Sequence, residues 1–377
     1  MIDLMRRGVE TPHPDHPDLR SVRLDEPEGR LMSDDLFVRY VEFDGTPVAW
    51  AATGSGPALV VAGWWCSHLR LNWADAGFRD YLERLGRHRT VIRYDRPGTG
   101  LSGGAGAPPA TLEAEYRALA GLVDALQLDS FTLLAGSSGC AAAAVYAARH
   151  PGRVEKLVLC GGYARGADIS PPAVRDTLIA ATQRHWGLGS RVLADLFLPE
   201  STWQERAEFA EFQRRCTTAD QAAASLKALY TFDCSAELGE IGVPTLVLHR
   251  RDDRAIRLEL GRELAAAIPH ADFVVVDGAN HFPWRGDRVR IANEVIAFLT
   301  GTAVERRVAP PVRPVQLSGR EREVLALTAQ GMTDPEIAKR LLLSPHTVHR
   351  HMANIRTKLG VSSRAAAAVW ATAHGVL

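Results

Sequence analysis

Between Leu36 and about Thr300, short continuous apolar runs alternate with helix-length stretches, and no other feature limits the fold so strongly. The apolar runs are Ala58–Ala62, Thr90–Tyr94, Phe131–Ala135, Val154–Cys160, Thr245–His249 and Phe273–Asp277. Helical patterns fall near Ala74–Leu85, Leu112–Leu126, Gly139–Arg149, Leu258–Ile268 and Arg288–Leu299. Strands that are apolar throughout, rather than on alternate residues, belong to a sheet buried on both faces. Strand–helix alternation makes that sheet mostly parallel. Phe37–Phe43 and Pro47–Ala52 read as a hairpin around Asp44-Gly45. One stretch breaks the rhythm. From Ile169 to about Phe232 the pattern is helical throughout, which predicts a helical lid over roughly residues 168–234. Its aromatic residues, Trp186, Phe197, Trp203, Phe209 and Phe212 among them, are expected to serve mainly as core between lid helices. The fold class is therefore α/β over 34–300, preceded by a polar, flexible extension at 1–33. Residues 301–316, rich in Pro and Arg, read as a semi-rigid linker. A small all-α unit follows at 317–377.

Hydrophobic residues make up 46% of the 377, enough for a core of this size, so global disorder is excluded. The formal net charge is zero, yet from Val312 onward it is +5, leaving −5 on the remainder. A basic small domain behind an acidic large one suggests a polyanionic partner for the tail alone. The five cysteines are widely spaced and none forms a C-x-x-C pair. That fits reduced thiols and argues against a disulfide framework or a zinc site. The start has no apolar signal region. No apolar run reaches the roughly 18–20 residues of a membrane span. A cytoplasmic protein with no membrane partner is expected.

In the last sixty residues, Ser318 is placed to cap a helix beginning at Arg320, and Glu321 completes a capping box. Gly331 ends that helix. A short helix, Asp334–Leu342, follows, with Asp334 or Thr333 as cap and Pro335 in its first turn. Ser344 is the natural N-cap of a third helix and Pro345 its first residue. Val348, Met352, Ile355 and Leu359 recur at i, i+4, i+7 and i+11 and form one buried face. A short helix, a tight turn and a second helix with a polar, basic outer face make a helix-turn-helix, whose outer face enters the major groove of double-stranded DNA. The candidate contacts are Ser344, His346, Thr347, His349, Arg350, His351, Asn354 and Lys358. Leu317–Ala367 resembles the LuxR-type helix-turn-helix on several separate marks. These include Glu321–Leu325, Gly331, Glu336-Ile337-Ala338, Ser344-Pro345, Thr347-Val348, His351, Asn354-Ile355 and Lys358–Val361. The resemblance implies that Ser344–Leu359 is the recognition helix, and that a last helix near Ser363–Thr372 helps a homodimer form on DNA. His346 and His349 depart from the family, which usually has Lys or Arg there, so no operator sequence carries over. Charged histidines at these places would pair with phosphate and tighten binding at lower pH; neutral ones would only hydrogen-bond.

In the large domain, Phe131–Ala135 runs into Gly136-Ser137-Ser138-Gly139 and then a helix. A serine on a sharp strand-to-helix turn needs small neighbours, because the backbone is strained and the helix packs close to the strand. Asp252 and Asp253 follow one later strand, and His281 follows the next. Both places lie past strand C-termini, where an open α/β sheet gathers its site. The resemblance is to the α/β-hydrolase superfamily over roughly Leu36–Leu299. It rests on Tyr94–Ser102, the serine turn, Tyr146–Pro151, Val243–His249 and Asn280–Pro283. It implies Ser137 as nucleophile, Asp253 as acid and His281 as base. Ser138 is a rival nucleophile with a poorer fit to the small-residue pattern, and Asp252 a rival acid. The implied oxyanion hole uses the N–H of Ser138 and one near Trp64. Here the chain reads Ala62-Gly63-Trp64-Trp65 where the family usually has His-Gly. The two tryptophans could line an apolar pocket or block it. Ala135 and Arg250 also replace usual glycines.

Together these readings predict a DNA-binding transcription regulator whose α/β-hydrolase-fold domain senses a small, apolar organic effector. The alternative is an active serine hydrolase of esters or lactones with an autoregulatory DNA-binding domain. A third reading is a module whose pocket is dead, with Trp64 and Trp65 filling it. No cofactor and no metal is expected.

Overall fold

The structure, a computed structural model, describes residues 36–103, 108–302 and 317–359, together with Arg364, Ala367, Ala368 and Ala371. The extension at 1–33, nearly all of the linker and most of the last helix lie outside the described residues. The chain divides into two compact units, residues 1–304 and 305–377.

The first unit is built on an eight-stranded sheet in the order β1-β2-β4-β3-β5-β6-β7-β8. Strands β1 (Arg39–Phe43) and β2 (Thr46–Thr53) form the expected hairpin. Its two-residue turn puts both Asp44 and Gly45 at positive φ, 48° and 71°, as a type I′ turn requires. β2 pairs antiparallel with β4 (Thr90–Tyr94). From β4 onward every pairing is parallel: β3 (Ala58–Val61), β5 (Phe131–Gly136), β6 (Val154–Cys160), β7 (Thr245–Arg250) and β8 (Ala271–Val276). Every residue of β5 and of β7 is buried, so both faces of the sheet centre are covered.

The helices are α1 (Leu69–Ala74), α2 (Ala76–Gly86), α3 (Leu112–Ala125), α4 (Gly139–Arg149), α9 (Leu258–Ala267) and α10 (Arg288–Thr300). The expected helix over Ala74–Leu85 is α2, and a short helix that the pattern did not show, α1, precedes it. Asp75 ends α1 and caps α2, its carboxylate accepting from Gly77 N and Phe78 N at 2.9 and 3.0 Å. The side chain takes the backbone donors of the first turn of α2 and so separates it from α1. Between β6 and β7 lie α5 (Pro172–Arg184), α6 (Trp186–Phe197), α7 (Trp203–Cys216) and α8 (Ala219–Leu229). Phe197 and Phe209 pack inside this lid as expected, but Trp203, the first residue of α7, is 79% exposed.

The second unit contains α11 (Gly319–Ala329), α12 (Asp334–Leu341) and α13 (Pro345–Leu359). Val324, Leu325, Ile337, Val348, Met352 and Ile355 form its core. The Ser318–Glu321 capping box is present. Of the two candidate caps for α12 it is Thr333 that serves, with its N–H donating to Glu336 at 2.7 Å. The turn into α13 puts Leu342 in the left-handed region, φ 56° and ψ 45°, with its side chain 92% exposed. A branched residue is strained there and packs against nothing in return. Leu342→Gly should therefore stabilise this unit by about 1 kcal/mol, read as a later urea midpoint for its transition.

Candidate functional site

Ser137 stands between the end of β5 and the start of α4 with φ +53°. That region costs a non-glycine residue about 1–2 kcal/mol, and such strain gathers at functional sites. Two hydrogen bonds pin the turn: Ser137 N–H donates to Cys160 O at 2.9 Å, and Cys140 N–H donates to Ser137 O at 3.1 Å. The small neighbour is needed, since a Cβ on Gly139 would meet Gly63 O at 2.4 Å. Ser137 lines a slot at the C-terminal edge of the sheet. Ser138 is 5% exposed and is not among the residues that line it.

Asp253 and His281, from the loops after β7 and β8, meet on the same side. His281 Nδ1 lies 2.7 Å from Asp253 Oδ2. Asp253 Oδ1 accepts from Ala255 N and Ile256 N at 2.9 and 3.1 Å, which fixes the carboxylate. Burial pushes this carboxyl up, but the neighbouring His281 and its hydrogen bond outweigh that and hold it below the ordinary carboxylate range. Asp252, by contrast, is exposed. His281 Nε2 is buried without a hydrogen-bond partner, and His281 lines the slot with Ser137. The lid reaches this ring directly. Phe197 O accepts from His281 N–H at 2.8 Å, and the Phe197 ring stacks on the imidazole with centroids 5.5 Å apart. Gly161, at φ +60°, leaves room for it, since a Cβ there would stand 3.2 Å from His281 Cε1.

The slot has about 390 Å³ of space not filled by atoms, but its centre admits little more than one water-sized sphere. Its walls are apolar, with Phe78, Phe282 and Trp284 among them. Trp64 packs on Phe78 and Trp284 at centroid distances of 5.8 and 4.7 Å and walls the slot. Trp65 turns instead to Trp186 and Phe197 of the lid. Trp64 thus walls the slot, and Trp65 packs against the lid. Neither Trp64 N–H nor Ser138 N–H donates to another backbone carbonyl.

A buried ion pair holds the tryptophan loop. Arg96 and Glu115, from α3, are 3% and 6% exposed. Arg96 Nε donates to Glu115 Oε2 at 3.0 Å, and Nη2 meets Oε1. Arg96 Nη1 donates to Trp64 O and Trp65 O at 3.2 and 3.0 Å. Arg96 lies within the Tyr94–Ser102 stretch that carries the resemblance, but nothing in the sequence of α3 marks Glu115 as its partner. His249 also went unmarked. Its Nε2 lies 2.8 Å from Ile256 O and ties down the turn that carries Asp253. Among the described residues no group of three or more His, Cys, Asp or Glu could hold a metal ion.

In the second unit, His346, His349, Arg350 and Asn354 are exposed on α13, while Thr347 and His351 are half-buried. Ser344 caps the helix, accepting from Thr347 N at 3.1 Å. Lys358 is engaged within the unit. Its ammonium donates to Glu321 at 2.7 Å and ties α13 to α11. His349 Nδ1 lies 3.7 Å from Asp334, which also pairs with Arg364. No helix among the described residues is long and apolar enough to cross a membrane.

The strand order, the lid between β6 and β7 and the strained serine turn define the first unit as an α/β-hydrolase fold, and the second as a helix-turn-helix DNA-binding domain. Residues 64–284 match the model for the α/β hydrolase fold, and residues 315–371 match that for bacterial regulatory proteins of the luxR family. The chain belongs to the α/β hydrolase fold family and carries a luxR-family domain behind it. It is 30% identical to a 2-hydroxy-6-oxo-2,4-heptadienoate hydrolase of Pseudomonas putida, over 63% of this chain and 83% of that protein. It is 28% identical to a 2-hydroxy-6-oxononadienedioate/2-hydroxy-6-oxononatrienedioate hydrolase of Burkholderia vietnamiensis, over 65% of this chain and 84% of that one. Among solved structures it is similar to the enol-lactonase from Burkholderia xenovorans LB400. There the identity is 27% and the TM-score 0.59, over 70% of this chain and 100% of that chain.

Proposed function

We propose that this chain is a transcription regulator whose hydrolase unit receives a small apolar ester or lactone and cleaves it at Ser137. The observation that carries the catalytic part is the 2.7 Å Asp253–His281 contact behind a histidine that shares its slot with Ser137. A pocket that only bound a ligand would have no use for an acid-backed imidazole beside a strained serine. The similar proteins named as an enol-lactonase and as 2-hydroxy-6-oxo acid hydrolases support a carbonyl substrate.

His281 Nε2 takes the Ser137 proton as Oγ attacks the carbonyl carbon. Asp253 keeps the proton of His281 on Nδ1 and stabilises the imidazolium. The N–H groups of Ser138 and Trp64 meet the oxyanion. His281 then gives its proton to the leaving alkoxide, and water, activated the same way, releases the acid and restores Ser137. Because the slot is narrow, ligand entry requires the lid to yield, and the Phe197–His281 contacts make the site sensitive to lid position. On DNA, two copies would place one α13 each in successive major grooves, with His346, His349, Arg350 and Asn354 toward bases and phosphates.

The test takes the full chain and a fragment selected from a random double-stranded pool. Turnover of a panel of 4-nitrophenyl esters and lactones is measured first, then DNA affinity with and without each ligand that binds. A folded chain that cleaves nothing would remove the catalytic part. DNA affinity unchanged by every bound ligand would remove the sensing part.

A further inference from the structure

Arg250 is the last residue of β7, three positions before Asp253. Its neighbour across the sheet is Val276, the last residue of β8, and the loop that carries His281 begins at the next position. Arg250 stands where the resemblance leads one to expect glycine, and it is only 4% exposed. Its Nη1 donates to Asp277 O at 3.1 Å, and its Nη2 donates to Arg285 O. These two carbonyls stand at the two ends of the loop, and His281 lies midway between them. One planar cation with fixed donors thus closes the loop across its neck.

The loop is built around that guanidinium. A Cβ on Gly278 would stand 2.8 Å from Nη1, and one on Gly286 would stand 3.6 Å from both Nη1 and Nη2, so the backbone near either end lies against the cation. The lid meets it here as well. The same Cβ on Gly278 would stand 3.3 Å from Glu200 Oε2, and Glu200 N–H donates to Asn280 Oδ1 at 3.2 Å. Burial pushes the Arg250 guanidinium down, and the carboxylates of Glu200, Asp253 and Asp287 act against that; an arginine keeps its charge in a protein. His249, the residue before it, ties down the Asp253 turn through Ile256 O. The last two residues of β7 therefore brace the Asp253–His281 pair, one on each side.

We infer that Arg250 is a positioning residue for His281: by joining Asp277 O to Arg285 O it sets the imidazole against Asp253 and toward Ser137. It acts through the loop and not on the reacting atoms. Two carbonyls on one edge call for two N–H groups held in a plane, which a guanidinium has and an ammonium lacks. The kinetic side of the inference rests on the base role proposed for His281, and the placement of its ring does not.

The test uses the full chain, as wild type, Arg250→Met and Arg250→Lys, with the folded fraction set by circular dichroism and urea unfolding. The first readout is the pair of ring-nitrogen shifts of His281, taken by NMR on protein labelled with nitrogen-15 histidine and identified by their loss in His281→Gln. These shifts report which nitrogen holds the proton and whether Nδ1 keeps its bond to Asp253. The second is steady-state kinetics on the 4-nitrophenyl ester that the wild type cleaves fastest. In folded Arg250→Met the shifts are expected to move, with kcat down about a hundred-fold and KM changed less than about three-fold. Arg250→Lys keeps the charge but is shorter and has no fork, so its shifts should move too, with kcat down about ten-fold. Either readout left as in wild type in either folded variant overturns the inference, even where the urea midpoint falls, because a brace that served stability alone would leave the folded site intact. Should the wild type cleave nothing, the proposed hydrolysis fails and the ring shifts decide the placement of His281 alone. Should Arg250→Met misfold, the lysine variant decides by the same readouts.

Discussion

Ser137→Ala is expected to lower kcat on any ester that the wild type cleaves by about 10⁶-fold, with KM changed only a few-fold. The slot walls, the Asp253–His281 pair and the backbone N–H groups all survive the change, so binding should persist while the proposed nucleophile is gone. Asp253→Asn should cost less, about 10⁴-fold, because an amide offers a donor to Nδ1 and turns the imidazole to the wrong tautomer. Steady-state kinetics on the three proteins check both, and turnover undiminished in Ser137→Ala would dismiss the assignment. Ser137→Gly separates activity from stability. It should be equally inactive, but it relieves φ +53° and should raise the unfolding free energy of the first unit by about 1 kcal/mol. A residue whose removal stabilises the fold is held in place by function rather than by packing.

The second large effect is on stability. Glu115→Ala should destabilise the first unit by about 3–5 kcal/mol, because it strands the buried Arg96 cation. Arg96 cannot move out to water, because it threads against the backbone: a Cβ on Gly63 would stand 2.3 Å from its Cγ. The same change loosens the Trp64–Trp65 carbonyls that Arg96 holds, so kcat should fall more than KM rises. Removing both charges together, Glu115→Leu with Arg96→Met, should cost less than Glu115→Ala alone. Urea unfolding of Glu115→Leu, Arg96→Met and the double variant closes the cycle. Equal loss in Glu115→Ala and the double variant would mean that the pair contributes packing and not charge compensation.

Local chemistry was legible where a signal is short-range. The strand limits of β4 and β6 follow from apolar runs bounded by turn residues. The caps Ser318 and Ser344 follow from side chains that reach N–H groups three residues ahead, which sequence spacing alone dictates. The cap at Asp75 was local too, yet it was hidden, because an aspartate in the first turn of a helical pattern gives no sign of whether it caps or faces solvent.

The sequence by itself determined the two-part organisation, the sheet with its helical lid, the helix-turn-helix and the short set of candidate side chains. Periodicity and turn chemistry are properties of neighbouring residues, and these features rest on them. Only the tertiary structure decided between neighbours in that set. Ser137 and Ser138 differ by one position, but one faces the slot at positive φ and the other is buried at the start of α4. Asp252 and Asp253 are chemically identical, and burial against His281 separates them. Lys358 reads as a candidate DNA contact, and the fold sets it on Glu321. The Arg96–Glu115 pair is invisible to any pattern. It depends on which elements the parallel crossovers bring together, and that distance is set by packing the sheet, not by separation along the chain.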